Sequence, residues 1–217
     1  MAWWRERVLP HLIDRLLATG EVRELRDRVC AGLSGEVLEV GFGSGLNLAH
    51  YPAEVGGVWA VEPADLAWRI AQPRIAAAGI PVARAGLDGA RLDLPDNRYD
   101  AVLSTFTMCT IPDLDAALAE IRRVLRPGGT LHFLEHGRSP RAKVARWQDR
   151  LQPIHGRLAG GCHLNRPVAD HVRRSGLEIK DLTTFYMKGP KFLGYTFLGR
   201  AGGGLSIVPV GPAARGW

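Results

Sequence analysis

The apolar positions of the chain fall into two alternating patterns. Short, nearly continuous apolar runs are typical of strands buried on both faces, and they alternate with segments whose apolar residues recur at helical spacing. The predicted strands cover residues 37–40, 58–61, 81–85, 99–105, 130–134, 177–184 and 195–198. The predicted helices cover residues 9–17, 21–33, 66–78, 114–125, 141–151 and 167–175.

This alternation predicts an α/β fold with a doubly wound, mostly parallel sheet. The last two predicted strands have no clear helix between them, so we expect antiparallel pairing at that end of the sheet. The chain shows neither an internal repeat nor a second core. We therefore expect one domain, with its core over residues 35–200, N-terminal helices over 1–34 and a flexible tail over 201–217.

The first predicted helix carries an apolar face without an obvious partner in a minimal sheet. That face is formed by Leu9, Leu12, Ile13, Leu16 and Leu17. We expect it to cover the mouth of a ligand site as a lid, or to rest on a membrane surface as a peripheral contact.

Composition narrows the class of protein. The chain has 217 residues, of which 46% are hydrophobic and 23% charged, and these proportions exclude a disordered chain or a coiled coil. We find no apolar stretch long enough for a membrane-spanning helix and no signal peptide. Cys30, Cys109 and Cys162 form no CxxC pair. A reduced, cytoplasmic setting is therefore the simplest expectation.

The net charge of +6 comes mainly from arginine. Basic residues dominate the segment 138–174, which is either a solvated helix face or a surface for an acidic membrane or substrate. Basic strands interleaved with aromatic residues are not seen, so we expect no nucleic-acid partner.

A glycine-rich loop follows the first predicted strand. Gly41, Gly43 and Gly45 form a G-x-G-x-G pattern, and a helix is predicted to begin near Leu46. Dinucleotide sites prefer G-x-G-x-x-G, in which the third glycine comes one residue later, so a nicotinamide-dependent dehydrogenase is disfavoured.

Two acidic residues at strand ends favour S-adenosylmethionine (SAM) as the ligand. Glu39 ends the first predicted strand and suits an ammonium group, directly or through water. Glu62 ends the second and can accept hydrogen bonds from both ribose hydroxyls. Because ligands of open α/β sheets bind at the carboxyl ends of strands, we prefer this interpretation to a glycine turn flanked by two incidental carboxylates.

The chain resembles the class I SAM-dependent methyltransferases of the small-molecule type. The resemblance covers residues 35–136 and rests on the segments 39–45, 61–63, 86–90, 94–102 and 124–129. It implies a seven-stranded sheet whose last strand is antiparallel. It also implies the cofactor contacts: Glu62 and Pro63 at the ribose, Asp88 at the adenine amino group, Gly89 or Ala90 at the adenine ring, and Thr105 and Phe106 at the methionine end.

A closer resemblance, to the methyltransferase-like thiol S-methyltransferases, extends into the C-terminal third. It rests on the segments 109–112, 133–136, 151–155, 160–166 and 194–195. Those proteins carry an N-terminal membrane anchor, whereas this chain offers only a short amphipathic helix with Trp3 and Trp4. Lipid N-methyltransferases and quinone C-methyltransferases share the first set of motifs. A small apolar acceptor, best a thiol, is therefore expected, with a phospholipid amine, a quinone or phenol, or a SAM-binding module without turnover as alternatives.

Candidate acceptor-side residues follow the later strands. His136 comes after the fifth predicted strand and suits a general base, or a histidine hydrogen-bonded in a loop. Cys109, His155 and His163 are candidates for substrate binding, although Cys109 also suits simple packing. His155, Cys162 and His163 surround a Gly-Gly turn, but their spacing matches no standard zinc site, so we expect no metal.

Overall fold

The computed structural model describes residues 2–203, which build a seven-stranded sheet in the order β3-β2-β1-β4-β5-β7-β6. Strand β7 pairs antiparallel with both β5 and β6, and the pairs among β1 to β5 are parallel. The predicted α/β class and the antiparallel last strand are thereby confirmed. The strands are β1 (Gly35–Val40), β2 (Val55–Val61), β3 (Val82–Gly86), β4 (Tyr99–Thr105), β5 (Leu125–His136), β6 (Leu177–Tyr186) and β7 (Tyr195–Gly203).

Helices cover both faces of this sheet. The apolar residues of α5 and α7 pack on one face, and those of α3 and α4 pack on the other. The helices are α1 (Ala2–Arg7), α2 (Leu9–Leu16), α3 (Gly20–Cys30), α4 (Asp65–Ala77), α5 (Leu114–Val124), α6 (Ala142–Leu158), α7 (Val168–Arg174) and α8 (Lys191–Gly194). None of the described helices is long and apolar enough to cross a bilayer.

The alternation of side chains along β1 and β4 divides the core into two layers. Leu38 and Val102 are paired across the two strands and belong to the α5 side, whereas Val37 and Leu103 belong to the α3 side. All four are fully buried, which explains why both strands appear in the sequence as continuous apolar runs. The carboxyl ends of β1, β2, β4 and β5 consequently meet at one edge of the sheet.

The turn after β1 departs from the prediction. In place of a helix beginning near Leu46, the glycine loop leads through turns into a three-residue 3-10 helix, Leu48–His50. The prediction of a helix that begins near Leu46 is therefore wrong. Backbone amides and side chains, and not a helix N-terminus, are what the loop presents.

The C-terminal boundary also differs. Residues 201–203 were predicted to begin a flexible tail, yet they end β7, where Ala201 pairs with Leu131 and Gly202 with Thr130. Glycine serves close approach here, because a Cβ on Gly199 would lie 2.7 Å from the Asp181 carbonyl oxygen. Residues 204–217 of the predicted tail lie outside the described residues.

Helix α6 continues past its predicted end at residue 151 and runs through Pro153 to Leu158. Pro153 has no N–H to donate, so one hydrogen bond of the helix is not made, yet the helix continues beyond it. The extra turns carry the chain back towards the N-terminus, where the Trp4 indole donates a hydrogen bond to the Leu158 carbonyl oxygen at 3.0 Å.

His132 generates a prediction about stability. It is 1% exposed within β5, its Nδ1 lies 2.8 Å from the Val29 carbonyl oxygen, and burial lowers its pKa below the ordinary value. The unfolded chain therefore binds this proton more readily than the folded chain. The contribution of His132 to the free energy of unfolding is fully present above about pH 6.5, and it decreases below that pH by at most about 1.4 kcal/mol per pH unit.

Replacing His132 by glutamine should make this acid-side loss in the free energy of unfolding shallower, as measured by denaturant titration between pH 7 and pH 5. The matched control is His11→Gln on the exposed surface of α2, which should keep the wild-type slope. Equal slopes in wild type and His132→Gln would contradict the assignment.

Candidate active site

A cavity lies at the carboxyl edge of β1, β2 and β4, and α2 closes one side of it. We call it the central cavity. Its walls come from α2 and the residue after it, the glycine loop, the segment after β2, the end of β4 and the turn after α6. Among the described residues, the principal lining positions are Leu9, Pro10, Ile13, Leu17, Arg26, Gly41, Phe42, Gly43, Ser44, Glu62, Pro63, Ala64, Thr105, Phe106, Thr107, Thr110, Ala159 and Gly160.

The glycine loop needs its first two glycines for different reasons. Gly41 has φ 79°, and a Cβ there would lie 1.9 Å from Oγ1 of Thr107. Gly43 has φ 58°, and a Cβ there would meet nothing within 4 Å, because this glycine borders the cavity. Gly45 packs against Leu48 and does not line the cavity. The loop thus brings bare backbone to a ligand.

Glu62 lines the cavity and is 6% exposed. Its two carboxylate oxygens each accept one backbone N–H, from Gly43 at 2.7 Å and from Ala64 at 2.7 Å. Burial raises its pKa, although these two hydrogen bonds act in the opposite direction. A carboxylate offers about four acceptor positions, so Glu62 retains capacity for two further donors such as a vicinal diol.

Glu39 lies one layer behind the cavity and does not line it. Its carboxylate accepts hydrogen bonds from the Asn47 amide at 2.7 Å and from the Tyr51 hydroxyl at 2.6 Å. Burial raises the pKa of Glu39 to about 7, against the effect of these hydrogen bonds. The structure therefore gives Glu39 a role in holding Asn47 and Tyr51, and its predicted contact with an ammonium group, directly or through water, stays a prediction.

Arg26 was not singled out by the sequence, yet it lines the cavity from α3 while only 4% exposed. Its guanidinium donates to the side-chain oxygen of Asn47 and to the Thr105 hydroxyl. Its Nε is a buried nitrogen without a hydrogen-bond partner among the described residues. Arg26 thus places a largely buried positive charge in the cavity wall, with one donor unpaired among the described residues.

The end of β4 is strained and tightly held. Phe106 has φ 53°, which is unusual for a residue with a large side chain, and its N–H donates to the Leu134 carbonyl oxygen at 2.8 Å. Thr105 and Phe106 both line the cavity, as the resemblance implies. The Phe106 ring packs against His136 with 4.7 Å between ring centroids.

Glu135 organises the loop that follows, another role that sequence reasoning missed. Its buried carboxylate accepts the Ser104 hydroxyl at 2.8 Å and the backbone N–H groups of Thr107, Met108 and Cys109 at 3.0, 3.0 and 3.3 Å. Burial raises its pKa in spite of these four donors. Glu135 therefore fixes the backbone that carries Thr107 and Thr110 into the cavity wall.

Helix α2 is tied to the glycine loop by Asp14. The Ser44 hydroxyl donates to Asp14 at 2.6 Å, and the Arg74 guanidinium donates to both Asp14 at 2.7 Å and the Ser44 carbonyl oxygen at 2.8 Å. Partial burial of Asp14 opposes ionisation, but the hydrogen bonds from Arg74 and Ser44 outweigh it and hold the pKa of the carboxyl below its usual value. This network seats Leu9, Pro10 and Ile13 over the cavity.

The amino-acid sequence is similar to known proteins. Residues 38–133 match the family model described as a methyltransferase domain. Thiol S-methyltransferase TMT1B of Rattus norvegicus is 34% identical over 66% of this chain and 61% of its own length. The ubiquinone/menaquinone biosynthesis C-methyltransferase UbiE of Cupriavidus metallidurans is 32% identical over 64% of this chain and 60% of its own length.

Solved structures agree on the fold. A SAM-dependent methyltransferase of Thermotoga maritima superimposes with a TM-score of 0.67 and 20% sequence identity, covering 92% of this chain and 98% of that one. The chain has the class I methyltransferase fold. It spans about three fifths of the length of the curated relatives it matches.

Several residues that the resemblance implies lie outside the lining of the central cavity. Asp88 is exposed and accepts the Ala90 N–H at 2.9 Å, and Gly89 lies against Val40. The adenine role of this segment stays a prediction. Likewise, His136 stands behind Phe106, and Cys109, His155 and His163 are not among the lining residues. Their catalytic and substrate-binding roles also stay predictions.

Cys109, His136 and Cys162 nevertheless come together behind the wall of the central cavity. The sulfurs of Cys109 and Cys162 lie 3.5 Å apart, and His136 lies beside them. The His163 N–H donates to the Cys109 carbonyl oxygen at 2.8 Å.

Leu12 and Leu16 of α2 are 40% and 61% exposed, and the expected peripheral membrane contact stays a prediction.

The Asp14 network predicts how α2 is held on the glycine loop. Replacing Asp14 by asparagine should weaken the hydrogen bonds from Arg74 and Ser44, each of which is charge-assisted, so backbone amides of α2 should exchange with deuterium on the order of tenfold faster. The matched control is Asp27→Asn on α3, whose carboxylate is exposed and pairs with His50.

Hydrogen exchange followed by mass spectrometry measures the effect by segment. Amides of the central strands should keep their protection in both variants. Unchanged exchange of α2 in Asp14→Asn would show that apolar packing alone retains the helix.

Proposed function

We propose that this methyltransferase domain transfers the methyl group of SAM to a small apolar acceptor, and that the acceptor is a thiol. The observation that carries the proposal is the composition of the central cavity. One side of it offers polar groups suited to SAM, and the other side is an apolar wall that carries no titratable base among its described residues.

SAM fits the polar side group by group. The remaining acceptor capacity of Glu62 suits the ribose diol, and bare backbone at Gly41 and Gly43 suits close approach of the ligand. The unpartnered Nε of Arg26 suits the methionine carboxylate, beside Thr105. We assign Asp88 and the Gly89–Ala90 backbone to the adenine end, following the resemblance.

The lining of the cavity favours an acceptor that ionises by itself. Its ionisable groups among the described residues are Arg26 and Glu62, and the proposed cofactor contacts occupy both. A thiol of pKa about 8.5 is a few per cent thiolate at neutral pH, whereas a phenol of pKa about 10 depends more strongly on a base. The absence of a base in this described lining therefore favours a thiol.

The chemical step is then an in-line displacement. The thiolate sulfur attacks the methyl carbon, a new carbon–sulfur bond forms, and the bond from the methyl carbon to the sulfonium sulfur breaks. Its electron pair stays on the sulfur of S-adenosylhomocysteine, and the thiol proton is released to solvent beforehand. Leu9, Pro10 and Ile13 would exclude water and hold the acceptor in line, and positioning of this kind can supply roughly 7–11 kcal/mol in ideal cases.

The relatives support methyl transfer but differ in the acceptor named. TMT1B is named a thiol S-methyltransferase and UbiE a quinone C-methyltransferase, at nearly equal identity to this chain. The quinone or phenol acceptor is therefore the second candidate. A phospholipid amine and a SAM-binding module without turnover are the remaining alternatives, and the following experiment separates all of them.

An acceptor screen tests the proposal. The full chain is incubated with SAM and a small aryl thiol, a phenol of matching shape or a phospholipid amine in vesicles, and release of S-adenosylhomocysteine is measured. We expect thiol turnover that rises about tenfold per pH unit below the thiol pKa, because no base assists ionisation.

Turnover of the phenol but not the thiol would overturn the thiol assignment in favour of the second candidate. SAM binding in calorimetry without product from any acceptor would overturn the enzymatic proposal itself and favour the binding module.

The loop glycines provide a matched test of SAM binding. Gly43 and Gly79 have similar backbone conformations, with φ 58° and 69°, and a Cβ on either would meet nothing within 4 Å. Gly43 borders the cavity, whereas Gly79 follows α4 on the surface. Alanine at either position therefore adds a similar backbone strain, about 1 kcal/mol.

Gly43→Ala should weaken SAM binding on the order of tenfold or more in isothermal titration, since the methyl group occupies ligand space. Gly79→Ala should lower the melting temperature about as much as Gly43→Ala does, but it should bind SAM as the wild type does. Wild-type affinity in Gly43→Ala would show that the loop serves the fold alone.

A further inference from the structure

Cys109, His136 and Cys162, behind the apolar wall of the central cavity, form a cluster with the composition of a site for a soft metal ion. Cys109 follows β4, His136 ends β5 and Cys162 lies in the turn region after α6, so three separate segments each contribute one side chain. The two sulfurs and an imidazole nitrogen all lie within 4.8 Å of one another. We call these three residues the thiol cluster.

The separation of the sulfurs fits a shared ion. Two thiolates bound to one tetrahedral Zn²⁺ at about 2.3 Å lie roughly 3.8 Å apart, whereas the sulfurs of a disulfide lie about 2.05 Å apart. The observed distance is 3.5 Å, close to the value for a common ion. An imidazole nitrogen at about 2.0–2.1 Å from the ion completes a set of ligands that Zn²⁺ prefers.

Hydrogen bonds to the surrounding backbone hold the ligands in place. The Cys109 N–H donates to Glu135, and its carbonyl oxygen accepts the His163 N–H. The Cys162 carbonyl oxygen accepts the Gln152 amide at 3.0 Å. His136 is fixed from the other side by the Phe106 ring. Preorganised ligands of this kind reduce the cost of ordering a metal site.

Charge in the cluster favours a cation. Cys109 and Cys162 are both buried, and their sulfurs are in direct contact. Only one of two adjacent buried thiols ionises when nothing neutralises the second negative charge. A divalent cation removes that restriction, because it stabilises both thiolates at once.

We propose that Cys109, Cys162 and His136 bind a Zn²⁺ ion, with a water molecule in the fourth position. In the chain, Thr110 of the cavity wall follows Cys109 directly, and Gly160 comes two residues before Cys162. The ion would therefore connect the loop after β4, the end of β5 and the turn after α6 beside the acceptor. The proposal departs from the metal-free expectation from sequence. It also replaces the general-base role of His136, since a nitrogen bound to an ion is unable to accept a proton.

Metal titration of the reduced, chelator-treated full chain tests the proposal. We expect one Zn²⁺ per chain by elemental analysis, and a thiolate-to-metal charge-transfer absorption when Co²⁺ is the probe. Zn²⁺ at about a hundred times its dissociation constant should raise the melting temperature by roughly 5–10 °C.

The cysteines provide variants and a control. Cys162→Ala and Cys109→Ala each remove one ligand and should weaken Zn²⁺ binding by about 100-fold or more, with circular dichroism verifying the fold. Cys30→Ala is the matched control, because Cys30 is equally buried but lies in α3 away from the cluster. It should keep full binding.

Three outcomes would overturn the proposal. These are a Zn²⁺ content well below one per chain, binding that survives in both cluster variants, and a Cys109–Cys162 disulfide in non-reduced protein whose reduced form fails to take up Zn²⁺. Each readout is independent of methyl transfer, so the zinc site and the proposed acceptor can fail separately.

Discussion

Backbone N–H groups that leave the carboxyl ends of parallel strands have lost their sheet partners, and in a buried loop each of them needs another acceptor. Carboxylates meet this need at two strand ends. Glu62 after β2 accepts two backbone donors, and Glu135 in β5 accepts three together with the Ser104 hydroxyl. Glu39 in β1 acts on side chains instead, through Asn47 and Tyr51. The loops around the cavity depend on these three buried anions.

This arrangement has an electrostatic consequence. Burial raises the pKa of all three carboxyls, and the donors around each one act against that effect. The carboxylates are thus stabilised by fixed donors instead of water, and the loops cannot move without exposing an unsatisfied charge or amide. Phe106 is held in a strained conformation at this edge, which such a rigid surrounding can sustain. The cavity is therefore formed before a ligand binds.

Sequence patterns reached those features that depend on local spacing. The strand and helix order, the turn at Gly41 and Gly43 and the position of Glu62 follow from apolar periodicity and from glycines at a strand end. Arg26 pairs with Thr105 across 79 positions, and Cys109 meets Cys162 across 53, and no periodicity connects residues so far apart. The spacing of His155, Cys162 and His163 matches no linear zinc motif, whereas the cluster brings together residues from three separate segments of the chain. A helix after Gly45 was also predicted, because turns and short helices share their first residues.

The two sides of the cavity differ in where their information lies along the chain. The methyltransferase match covers residues 38–133, and the glycine loop, Glu62 and the end of β4 all fall inside it. The apolar wall comes from Leu9, Ile13 and Leu17 on one side of that range and from Ala159 and Gly160 on the other. The relatives named thiol S-methyltransferase and ubiquinone/menaquinone biosynthesis C-methyltransferase differ in the acceptor that their names give. We therefore propose that selectivity among acceptors resides in α2 and in the turn after α6, which the Asp14 network and the contact between Cys109 and Cys162 hold in place.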